Sequence, residues 1–311
     1  MRVIDSHTEG EPTRVIVAGG PDLGSGSVTE RAKRLEADHS WIYAAALAEP
    51  RGHDAMVGAL LVPPADKTCA AGAIFFNTVG NLGMCGHASI GLAVTLAHLG
   101  EIGVGSHRFE TPVGVVTVDL LDPNTVRMTN VESYRYRQNV QIDVEGVGPV
   151  VGDVAWGGNW FFLTNSETIA ANFDNIPALT SRATAIREAL EREGIAGENG
   201  AQIDHIELFG PPHLAGSDSR NFVLCPGGAY DRSPCGTGCS AAVACKAADA
   251  KLRAGEVWVQ ESIIGSTYKV SYEPGPTGGV IATIEGRAYV TAQAELLFAG
   301  GDPFRNGIRP T

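Results

Sequence analysis

Residues 231–242 read DRSPCGTGCSAA and set Cys235 between a proline and a Gly-Thr-Gly turn, where a run of small residues begins a helix. Residues 83–100, GMCGHASIGLAVTLAHLG, again place a Cys-Gly pair, Cys85-Gly86, at the start of an apolar helical run. Two thiols that each open a helix make a matched pair. The first turn of an α-helix carries N–H groups without intrahelical partners and the positive end of the dipole, so it favours a carboxylate or a thiolate. Glycine beside each cysteine lets a ligand approach the backbone. The same surroundings are expected to lower a thiol pKa from about 8.5 toward neutrality.

Around these helices, strand and helix patterns alternate. TRVIVAGG (13–20) reads as a strand, TERAKRLEADHSWIYAAALAE (29–49) as one helix, and DAMVGALLVPP (54–64) and AGAIFFNTVG (71–80) as strands before the first Cys-Gly helix. HRFETPVGVVTVDLLD (107–122) reads as a hairpin turned at Pro112 and Gly114. The second half repeats the plan. GDVAWGGNWFFLT (152–164) reads as a strand, TSRATAIREALEREG (180–194) as a helix, and DHIELFG (204–210) and NFVLCPGG (221–228) as strands before the second Cys-Gly helix. The stretches 257–274, 278–292 and AELLFAGG (294–301) read as closing strands. Two similar α/β halves with a cleft between them are expected, 1–122 and 123–287.

With 311 residues, 44% hydrophobic and 19% charged, the chain can bury a sizeable core and is expected to divide into two domains. Its formal net charge of −12 argues against nucleic-acid or anionic-membrane partners, which need a basic face. The opening MRVIDSHTEGEPTR lacks the apolar core of a signal peptide, and no apolar run approaches a membrane span, so a cytoplasmic location is expected. Six cysteines are too sparse for a disulfide scaffold. Cys235 and Cys239 lack a second close Cys/His pair, which disfavours zinc. Cys239 and Cys245 read as packing residues on the second helix.

Opposed thiols suit inversion at a carbon acid. A small amino acid whose carboxylate is held by the N–H groups of both helices would have one thiolate to remove the α-proton and one thiol to deliver another. Such a two-base reaction needs no electron sink if the site is dry and its donors face the charge growing on the carboxylate. Pyridoxal phosphate would need a Schiff-base lysine, and none of the five lysines lies in a recognisable motif, so no cofactor and no metal are expected.

MCGHASIG and DRSPCGTG, with IDSHTEGEPTRVIVAG, EPRGHDAMVGALLVPP, GGNWFF, QESIIGS and DPFRNG, resemble the signature blocks of the proline racemase family from about Val3 to Arg305. The resemblance implies an α/β fold of two pseudo-symmetric diaminopimelate-epimerase-like domains with the active site in the cleft between them, and with the segment from about 288 to 311 returning to the first domain. It implies catalytic roles for Cys85 and Cys235, and substrate binding by Gly86, His87, Asp231, Gly236 and Thr237. A branch of the family with threonine at the second thiol dehydrates 3-hydroxyproline, so Cys235 favours epimerisation. Ala88 and Ser89 depart from the Gly-Thr more frequent in the hydroxyproline branch.

Proline racemases similar to this chain close over the plain ring with aromatic residues where Val57 and Cys225 stand, and they tend to lack a histidine at the position of His205. Space plus a polar partner suits a ring hydroxyl. The expected reaction is therefore epimerisation of trans-4-hydroxy-L-proline to cis-4-hydroxy-D-proline. Proline racemisation is the nearest alternative; a thiol hydrolase using Cys235 with His87 and Asp231, or a redox or amino-acid-binding module, is more distant. A small imino acid is the expected partner, and a homodimer is left open.

Overall fold

Apolar residues on successive short strands dictate a sheet, and the four long gaps between parallel neighbours dictate crossover helices. The computed structural model of the chain describes residues 1–308. These form two compact units, Met1–Met128 with the chain from Gly286 onward, and Thr129–Glu285. Residues 309–311 of the segment expected to return to the first half lie outside the described residues.

In the first unit, β1 (Arg2–Thr8) and β2 (Glu11–Ala18) form a hairpin. The chain then crosses through α1 (Val28–His39) and α2 (Trp41–Leu47) to β3 (Val57–Val62), parallel to β2. It turns back as β4 (Ala71–Phe76) and, after the short β5 (Asn81–Leu82), enters α3 (Gly86–His98). The strand β6 (Gly105–Thr111) returns parallel to β4 and pairs with β7 (Gly114–Leu120) as the expected hairpin. Ser27 and Glu30 form a capping box that fixes the start of α1.

The second unit runs through the same sequence of pairings. β8 (Thr125–Val144) and β9 (Gly148–Trp156) lead into β10 (Trp160–Asn165), antiparallel to β9. The chain crosses through α4 (Ile176–Arg192) to β11 (His205–Gly210), parallel to β10, turns back as β12 (Ser219–Leu224), and enters α5 (Gly236–Ala248). β13 (Trp258–Glu261) returns parallel to β12 and pairs with β14 (Thr267–Pro274), which pairs with β15 (Val280–Glu295). The far end of β15 pairs with β1 in the first unit. The change of unit falls inside the long strands β8 and β15 rather than at the Asp122 turn. That turn is a local device: the Asp122 carboxylate accepts the N–H groups of Asn124 and Thr125, both at 2.9 Å.

Three local expectations are corrected. The stretch 29–49 is two helices broken at Ser40, because the apolar Trp41–Leu47 run is buried on nearly every side while α1 is amphipathic. The stretch 152–164 is a hairpin rather than one strand, with Gly157, Gly158 and Asn159 as its turn. AELLFAGG leaves the sheet after Glu295. Each unit carries its own core: Ile16, Leu35, Leu47 and Phe76 are central to the first, and Phe162, Ile186, Ile206 and Phe222 to the second.

Candidate active site

Both cysteines occupy the N-cap position of a buried 13-residue helix, and neither helix start has a side-chain cap hydrogen bond. Alanine, glycine and serine dominate these helices, so each can sit close to the strands beneath it. A Cβ on Gly91 would meet Ser6 Oγ at 2.9 Å and Thr8 Oγ1 at 3.3 Å, which seats α3 directly on β1. A Cβ on Gly157 would lie 2.1 Å from the Thr237 carbonyl oxygen, which seats the first turn of α5 on the 157–159 turn.

At the first thiol, Cys85 has extended backbone (φ −138°, ψ 112°) and is buried. Its Sγ lies 3.3 Å from His87 Nδ1. His87 is buried as well, and its carbonyl accepts a 2.7 Å hydrogen bond from Thr8 Oγ1. The Ser89 hydroxyl donates to the Cys85 carbonyl at 2.8 Å, so Ser89 locks the first turn internally. Gly86 is the first helical residue. Val57 opens β3 opposite Thr13, a residue that itself lies against α3 at Gly91.

At the second thiol the backbone differs. Cys235 adopts φ 62° and ψ 97°, a left-handed conformation that costs a non-glycine residue about 1–3 kcal/mol. The surrounding hydrogen bonds overdetermine it. The Asp231 carboxylate accepts the Ser233 N–H at 2.8 Å, and Ser233 Oγ accepts the Cys235 N–H at 3.1 Å. The Pro234 carbonyl accepts from Asn221 Nδ2 at 2.8 Å and from Cys239 Sγ at 3.2 Å. Thr237 Oγ1 lies 3.8 Å from Cys235 Sγ and receives Asn159 Nδ2 at 3.3 Å.

The expected depression of the thiol pKa does not hold for Cys235. Burial pushes this thiol well above its ordinary range, and the negative charges of Asp231 and Glu207 add to the effect. The Gly238 N–H at the helix start acts in the opposite direction but is outweighed. Desolvation of a fully enclosed thiolate exceeds what one turn of helix dipole returns.

The second unit gathers His205 and Cys225 around Cys235. Phe161 links them: its ring stacks on His205 with centroids 4.7 Å apart and packs with Cys235 and Cys225 in one apolar cluster. His205 Nδ1 lies 2.8 Å from Asp204 Oδ1, so Nε2 is the nitrogen left to meet a ligand. Cys239 is fully buried and Cys245 half-buried. The sequence reading missed Asn159, Glu207, Asn221 and Ser233. Asn159 stood in the quoted GGNWFF block. Glu207 is two residues from His205 and therefore on the same face of β11, a signal that was available.

Two α/β units, each presenting a cysteine at the N-terminus of a buried helix, define the diaminopimelate-epimerase-like fold class. A family model for proline racemase matches residues 3–309, and the chain belongs to the proline racemase family. It is 65% identical over 309 residues to a 4-hydroxyproline 2-epimerase of Roseibium aggregatum, covering 99% of this chain and 100% of that protein. Among solved structures, a probable proline racemase from Agrobacterium radiobacter with bound carbonate is 26% identical, with TM-score 0.91 over 99% of this chain and 96% of the other. A hydroxyproline epimerase from Agrobacterium vitis with bound trans-4-hydroxy-L-proline is 24% identical, with TM-score 0.92 over 100% of this chain and 94% of the other. Among the described residues, no helix is long and apolar enough to cross a membrane.

Proposed function

We propose that this chain is an isomerase that epimerises trans-4-hydroxy-L-proline at Cα, giving cis-4-hydroxy-D-proline. The observation that carries the reading is the near full-length match to relatives of that activity, in a chain whose two helix-opening residues are both cysteines.

Cys85 and Cys235 are the two acid–base groups. One thiolate takes the α-proton while the other thiol gives its own proton to the opposite face of the flattened carbon, so each turnover exchanges the protonation states of the pair. His87 beside Sγ can donate to a thiolate at Cys85, whereas burial and the charge of Asp231 keep the proton on Cys235. The resting enzyme therefore holds its proton on Cys235, and Cys85 is the first base. Backbone N–H groups at Gly86, Gly236 and Thr237 receive the substrate carboxylate and the charge that grows on it. His87 and Asp231 face the ring nitrogen. His205 meets the ring hydroxyl, with Val57 and Cys225 leaving room for it. The reaction draws on no cofactor. It belongs in the cytoplasm, where the six thiols stay reduced.

Polarimetry with trans-4-hydroxy-L-proline and with L-proline, repeated in deuterium oxide, tests this. Inversion of the hydroxylated substrate with deuterium at Cα of the product is the expected result. Faster turnover of L-proline would make the chain a proline racemase, and retention of the original α-hydrogen would remove the two-thiol scheme.

A further inference from the structure

Glu207 lies on β11 with no exposed surface, directly beneath the start of α5. Its Oε1 accepts Asn221 Nδ2 at 2.7 Å, and the same amide nitrogen reaches the Pro234 carbonyl at 2.8 Å. Its Oε2 is buried without a hydrogen-bond partner. A Cβ on Gly238 would lie 2.4 Å from that oxygen and 3.2 Å from Cys235 Sγ, so both atoms border the space that glycine leaves empty. A buried, half-satisfied carboxyl beside a reactive thiol is costly to keep for packing alone.

We propose that Glu207 is the positioning residue of the second thiol: one carboxyl oxygen ties through Asn221 to Pro234 and holds the left-handed backbone of Cys235, while the charge on the other sets how readily Cys235 releases its proton. The inference rests on Cys235 being one of the two acid–base thiols.

The groups around Glu207 make this charge titratable in a useful range. His205 shares its face of β11; Asp231 precedes α5; Cys235 caps α5, and Cys239 and Lys246 lie within it. β10 presents only Phe161 and Leu163 at the adjoining register. Burial, opposed by the Asn221 hydrogen bond and by Lys246 and reinforced by Asp231, brings the carboxyl to about 8. Near neutral pH Glu207 is an uncharged acid that adds nothing to the burial and the Asp231 charge already opposing ionisation of Cys235. Above that range it becomes an anion and holds the thiol proton in place.

The test reads thiol reactivity, so it stands apart from the substrate assignment. Alkylation of Cys235 by iodoacetamide is followed against pH by peptide mass spectrometry in Cys85→Ser and in Cys85→Ser with Glu207→Gln. Removing the anion should move the midpoint down by about one pH unit and speed alkylation at pH 9 about tenfold. Superimposed profiles would overturn the proposal. Should the double variant fail to fold, infrared spectroscopy of the wild-type chain labelled with carbon-13 at glutamate carboxyls decides it. A protonated-carboxyl stretch at pH 7 that vanishes as the pH passes about 8 is expected; its absence at pH 7 overturns the charge role.

Discussion

The helices α3 and α5 have the same length, the same cysteine at the N-cap and the same glycine after it, yet their thiols meet different surroundings. Cys85 has an ordinary extended backbone and an imidazole at its sulfur. Cys235 has a left-handed backbone, a buried carboxyl on the Gly238 side and Asp231 four residues before it. In the proposed reaction the shared motif supplies N–H donors for the substrate carboxylate at both places. The neighbours decide where the proton rests. A two-base reaction needs this division, because at any moment one sulfur must be charged and the other protonated.

The largest effect should follow from removing either sulfur. Cys85→Ser and Cys235→Ser should each lower epimerisation by roughly 10²–10⁴-fold, since a hydroxyl is too weak an acid to exchange roles with a thiol. Polarimetry on variants shown to be folded by circular dichroism measures it. If one variant kept near-normal turnover, the two helices would not be functional equivalents.

The asymmetry between the thiols should appear in the free protein. At pH 7, Cys85 should react with iodoacetamide at least tenfold faster than Cys235, because each unit of pKa difference is tenfold in thiolate fraction. Pyrrole-2-carboxylate, planar at the carbon that inverts, should protect both. Equal rates in the absence of inhibitor would mean that His87, Asp231 and the burial of Cys235 do not bias the pair.

A smaller effect separates the carboxyl beneath α5 from the imidazole at α3. The folded chain holds a proton on Glu207 up to about pH 8, whereas the unfolded chain releases it near the ordinary value of 4.5. Folding therefore binds a proton in this window, and the stability linked to Glu207 is greatest below the unfolded value and falls as pH rises toward 8. Glu207→Gln carries no such penalty. Its melting temperature relative to wild type should rise between pH 5 and pH 8, by about 2–4 °C for each kcal/mol relieved. A difference that stays constant across this range would place an ionised carboxylate in the folded core.

What the sequence made legible follows from how locally each feature is encoded. The Cys-Gly helices, the 107–122 hairpin and the strands around His205 and Asn221 are short periodic runs bounded by glycine or proline, and the structure places elements at all of them. β1 and the 20-residue β8 were not read as strands, because polar residues such as Asp5, His7, Arg135 and Arg137 interrupt their apolar pattern while sheet pairing holds them extended. The protonation of Cys235 was misjudged for a similar reason. The helix start is visible in the sequence, but the burial and the carboxyl contributed by β11 come from tertiary packing. Asn221 was hidden in the same way, its role arising only when β12 passes under Pro234.

The smallest expected effect concerns the ring hydroxyl, where only the second unit offers a polar side chain among the proposed pocket residues. His205 is held by the Phe161 stack and by Asp204 through Nδ1, which fixes the ring and presents Nε2. A neutral hydrogen bond from or to that nitrogen contributes about 0.5–1.5 kcal/mol net, so His205→Ala should reduce kcat/KM for trans-4-hydroxy-L-proline roughly threefold to tenfold. L-proline should lose less, because it offers the imidazole nothing to bind. Val57→Phe with Cys225→Phe should shift the same ratio further toward proline by filling the space, provided the larger rings are accommodated without displacing Cys235, whose apolar cluster includes Cys225. The ratio of kcat/KM for the two substrates, measured in wild type and in each variant, isolates the hydroxyl from the chemistry common to both. An unchanged ratio would move the selectivity away from His205 and leave the roles proposed for the two thiols and the helix starts untouched.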